Sequence, residues 1–134
     1  MPPTEPPGPE KSLPQVVAEV GLYPMEAYLF VQNGLSYTVQ KIHGDESDPN
    51  KSRHVGGKEL CEGLREYALM NWGMLARTVL ARWGINKTVD FGRIVFALVD
   101  NQYMQKTDED TIEDFCDVFD FKRAFEGEYK IEHQ

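Results

Sequence analysis

Five side chains within one short stretch can hold a divalent cation: His43, Asp45, Glu46, Asp48 and His54. Carboxylate and imidazole are suitable donors, and a metal held there would activate water for hydrolysis. Their spacing fits no compact ligand motif, and polar loops gather such residues for solubility alone. His54 also leads into Gly56, Gly57 and Lys58. Backbone N–H groups at a helix start, beside a lysine, suit an anion, so His54, Gly57 and Lys58 form a candidate anion site. Two cysteines are available as nucleophiles. Cys61 falls on an apolar helical stripe, where a thiol behaves as a small hydrophobe, and Cys116 lies beside Phe115 among acids. They form no CxxC pair. GxSxG, Walker A and GxGxxG patterns do not occur. The acidic run from Asp108 to Asp114 has Glu113 where a calcium loop needs glycine. No catalytic residue, metal or cofactor is therefore assigned.

Charge is distributed unevenly. The chain carries 22 acids against 14 bases, a net of −8. Residues 107–134 account for −7, with ten acids and three bases, while residues 72–106 carry five bases and two acids, for +3. The acidic end also holds Phe115, Phe119, Phe121 and Phe125. Such a segment either clasps the basic centre of its own chain or presents an acidic, aromatic surface to a basic partner.

The elements that must position these groups are mostly helical. At 134 residues the chain suits one domain, with a core that needs no disulfide or metal. Residues 1–11, with five prolines, form a disordered Pro-rich tail; residues 12–126 form a single helical domain; residues 127–134 form a polar tail. Ser12 caps a first helix, with Pro14 in its first turn, that stops at Gly21. Tyr23-Pro24 opens a second, with Ala27, Tyr28, Val31, Leu35, Thr38, Val39 and Ile42 on one face. Gly34 within it predicts a close helix crossing. A third helix follows Gly56-Gly57, burying Leu60, Cys61, Leu64, Ala68 and Trp72, with Glu62, Arg65 and Glu66 facing solvent. Gly73 either ends or bends it. Residues 74–83 form the next helix, with Leu75, Ala76, Val79, Leu80 and Trp83 inward and Gly84 as its stop. Thr88 caps another, with Phe91, Ile94, Val95, Leu98 and Val99 inward. The fold class is thus mainly α: four to five helices, a helix-turn-helix-like centre, and a short C-terminal β-hairpin over residues 103–115. For the hairpin the rival is a helix capped by Thr107. A last short helix runs from about Asp120 to Phe125.

Several stretches are similar to an uncharacterised bacterial family, a domain of unknown function about this long. They are the run from Tyr23 to Gln32, the runs His54 to Leu60 and Asp90 to Phe96, Thr107 to Asp110, and Phe119-Asp120-Phe121. The resemblance spans about residues 15–126 and implies a shared fold, with no activity attached. Gly56 stands where that family often has serine or threonine, which removes a side-chain cap.

The expectation is a non-catalytic protein-interaction domain. Asp108, Asp110, Asp114, Phe115, Phe119, Asp120, Phe121 and Phe125 make its contact surface, and a basic protein is its partner. The alternative is a winged-helix-like nucleic-acid module, reading with the helix after Gly84. An acidic wing at Asp108, Glu109 and Asp110 repels phosphate, so nucleic acid is not the expected partner. A metal-assisted hydrolase at the His43–His54 loop is the third reading. The N-terminus lacks the basic start and apolar core of a secretory leader, and no apolar run reaches the roughly 20 residues of a membrane span. No membrane partner and a cytoplasmic location are expected.

Overall fold

A computed structural model describes residues 10–44, 55–104 and 111–125. The chain is mainly helical: α1 (Leu13–Val20), α2 (Met25–His43), α3 (Gly57–Trp72), α4 (Ala76–Arg82), α5 (Thr88–Asp100) and a five-residue α6 (Phe121–Phe125). Short 3-10 helices stand at Gly73–Leu75 and Ile112–Phe115.

Local chemistry sets the helix ends. Ser12 Oγ accepts from Gln15 N at 3.3 Å and Gln15 Oε1 accepts from Ser12 N at 2.9 Å, a reciprocal cap. Gly21 closes α1 in the left-handed region. The start of α5 is held differently from the sequence expectation. Asp90, three residues in, accepts from Asn86 N and Lys87 N, whereas the Thr88 hydroxyl donates to the Phe115 carbonyl at 2.6 Å and accepts from Val118 N at 3.1 Å. Thr88 is therefore a tether for the C-terminal segment rather than a cap. Asp120 Oδ2 accepts from Arg123 N and starts α6, as its sequence position suggests.

Glycine notches set the packing. The predicted close crossing at Gly34 is between α2 and α3: the Leu64 side chain fills the space a Cβ would take there, and Thr38 fills the equivalent space at Gly63. Each helix thus seats one side chain in the other's notch, and the backbones approach closely. A second notch receives the C-terminal segment. A Cβ at Gly92 of α5 would lie 2.7 Å from Phe115 Cγ, and one at Gly57 of α3 would lie 3.1 Å from Phe115 Cε1.

Helix α5 is the hub. Phe91, Ile94 and Leu98 are fully buried, and its only exposed side chains are Arg93 and Asp100. The core joins them to Tyr28, Val31, Leu64, Leu80 and Ile85. Arg65, expected in solvent, is buried, with its Nε on Glu62 at 3.2 Å. Ile42, expected on the inner face of α2, is exposed.

The hairpin expected over residues 103–115 is not present among the described residues. Gln102 turns into the left-handed region, Tyr103 N donates back to Leu98 O at 2.7 Å, and residues 112–115 coil as a 3-10 helix. Tyr103 N and Met104 N are thus spent on the end of α5, and Asp114 N on Thr111 O inside the coil. Residues 105–110, including Thr107, lie outside the described residues.

Candidate functional site

The acidic, aromatic surface expected at the C-terminal end is largely an internal one. Phe115, Phe121 and Phe125 are buried and Phe119 is half-buried. Phe121 stacks on Phe91 of α5 with centroids 5.7 Å apart, and on Phe125 at 5.2 Å. Burying these rings is more favourable than leaving them in water, so the segment clasps its own chain. Asp114 and Asp120 are exposed but occupied locally: Asp114 Oδ2 accepts from Thr111 N at 2.8 Å, and Asp120 starts α6. Asp108 and Asp110 lie outside the described residues.

Of the expected anion site, Gly57 and Lys58 are among the described residues. Gly57 is buried under Asp114 and Phe115, with a carbonyl oxygen rather than a donor 3.1 Å from its Cβ position. Lys58 is exposed beside it, and His54 is outside the described residues. Of the proposed metal loop, only His43 is described; among the described residues no three His, Cys, Asp or Glu side chains gather to hold a metal. Cys61 is buried, and burial, with Glu62 nearby, pushes its thiol up to about 12, which suppresses the thiolate. Cys116 is exposed. The helix-turn-helix-like centre is present as α4, the Gly84 turn and α5. Gly84 adopts φ +84 with the Leu22 carbonyl against it, a place closed to a side chain. The exposed side chains of α5 are Arg93 and Asp100, one cation and one acid, a sparse set for contacting phosphate or bases.

A cavity of about 490 Å³ opens between α2 and α3, lined by Thr38, Ile42, Gly63 and several charged groups. Lys41, Glu59, Glu62 and Glu66 of this lining are engaged in holding the helices or their ends. Lys41 pairs with Glu66, and the Tyr37 hydroxyl donates to the same carboxylate at 3.0 Å. Burial works to raise the Glu66 pKa, but the Lys41 and Tyr37 contacts outweigh it and hold the group below its ordinary value. Glu59 Oε1 accepts from Gly56 N at 3.0 Å, closing the α3 N-terminus in place of the missing side-chain cap.

The corner between α3 and α4 is different in kind. Gly73 stops α3 at φ +52, and the 3-10 helix that follows rotates the next residues outward. Met74 is 94% exposed, Met70 66% and Leu75 64%. Leu75, expected inward, is therefore a surface residue. At the far end of α4, Leu22 is 60% exposed next to Gly84. Behind this corner, Trp72 and Trp83 meet edge to face at 5.3 Å, and Phe30 stacks on both, at 5.3 and 5.8 Å. Both tryptophans are half-buried and are the chain's only two. The rings pack among themselves, and the two methionines nearby in sequence carry flexible, polarizable side chains. Scattered exposed apolar residues are ordinary, but three large ones within six positions around one turn are a concentration.

Nothing in the inner-face stripes of α3 and α4 singles out this corner. The usable signal was the absence of charge: no acid occurs between Glu66 and Asp90, and Met70, Met74 and Leu75 flank a helix-breaking glycine. No helix among the described residues is long and apolar enough to cross a membrane. Comparisons with protein families, with curated proteins and with solved structures gave no match to this chain.

Proposed function

We propose that this is a non-catalytic protein-interaction domain whose contact face is the α3–α4 corner. One observation carries the reading: Met70, Met74 and Leu75, within six positions around the Gly73 turn, are all large apolar side chains left exposed. Covering such a face removes apolar area from water at about 25 cal/mol per Å², and flexible methionines fit a partner without a fixed register. The class of function is the one the composition suggests; the surface is a different one, because the phenylalanines of residues 115–125 are committed to the core.

The test is co-purification with the native chain and with a Met74→Glu/Leu75→Glu variant. Both residues project into solvent, so the variant keeps the native melting transition. Partners recovered with the native chain are lost with the variant. Identical recovery from both would remove the corner as the contact face.

A further inference from the structure

We draw no further inference here: the strongest candidate, the cavity between α2 and α3, is lined by charges of both signs, Lys41 and Lys58 against Glu59, Glu62 and Glu66, that select no one ligand chemistry, and nothing in the structure shows what covers it.

Discussion

Tyr23 and Asp90, 67 residues apart in sequence, meet inside the protein, where the tyrosine hydroxyl donates to Asp90 Oδ1 at 2.6 Å. The same carboxylate oxygen accepts from Arg93 at 2.9 Å, and the other one receives Asn86 N and Lys87 N. A single aspartate therefore starts α5, holds the turn after Gly84 and ties the α1–α2 connection to both. The turn follows directly on the end of α4, so the placing of the proposed contact face relative to α5 depends on this node.

Alkaline pH should loosen the node. Burial, then the hydrogen bond to Asp90, pushes the Tyr23 hydroxyl up to about 12 from an ordinary value of 10. The folded chain then holds a proton that the unfolded chain gives up. Its stabilising contribution is complete below pH 10 and is lost as pH rises from 10 through 12. Two units correspond to about 2.7 kcal/mol at most. Urea unfolding of the native chain and of Tyr23→Phe across this range checks it: the stability difference shrinks with rising pH, and an unchanging difference contradicts the assignment.

The same substitution five residues further on does not destabilise. Tyr28 is fully buried, and its hydroxyl has no hydrogen-bond partner among the described residues. Tyr28→Phe removes an unsatisfied group and is neutral or stabilising by about 1 kcal/mol, while Tyr23→Phe at neutral pH costs about 1–3 kcal/mol through the orphaned bond to a charge. Denaturation midpoints of the two variants decide it.

The Phe115 notch is testable as a pair. Gly92→Ala places a methyl against Phe115 and Ile112 and destabilises by about 1–3 kcal/mol, whereas Phe115→Ala leaves a cavity and costs about 3–5 kcal/mol. Combined, the two cost less than their sum, because the small side chain accommodates the new methyl. Strict additivity in a double-mutant cycle contradicts the notch.

Thiol chemistry distinguishes the cysteines. An aromatic disulfide reagent labels the exposed Cys116 rapidly in the folded protein, and Cys61 only on unfolding. Labelling of both at equal rate in the native state would place Cys61 at the surface.

Much of this architecture is legible in residue order where the signal is local. Ser12, Gln15 and Gly21 define α1 with no help from the rest of the chain. Gly34 announces a close crossing, although the notch's occupant, Leu64, is named only by the fold. Non-local pairing defeats the same reasoning at the C-terminal end. Alternating acids and phenylalanines resemble a surface until the notch formed by Gly92 and Gly57 is known, and that notch exists only when α3 and α5 are already packed. The exposed corner is hidden from the sequence by a single residue. Reading helical period straight through Gly73 puts Leu75 inside, and the 3-10 helix at Gly73–Leu75 puts it outside.

A photo-activated crosslinking side chain at position 74, with a control at exposed Glu26 on α2, tests the contact face most directly in living cells. Crosslinks to one discrete protein from position 74, and none from position 26, are the predicted result. Equal crosslinking from both positions, or crosslinks from 26 alone, would contradict the α3–α4 corner as the interaction face.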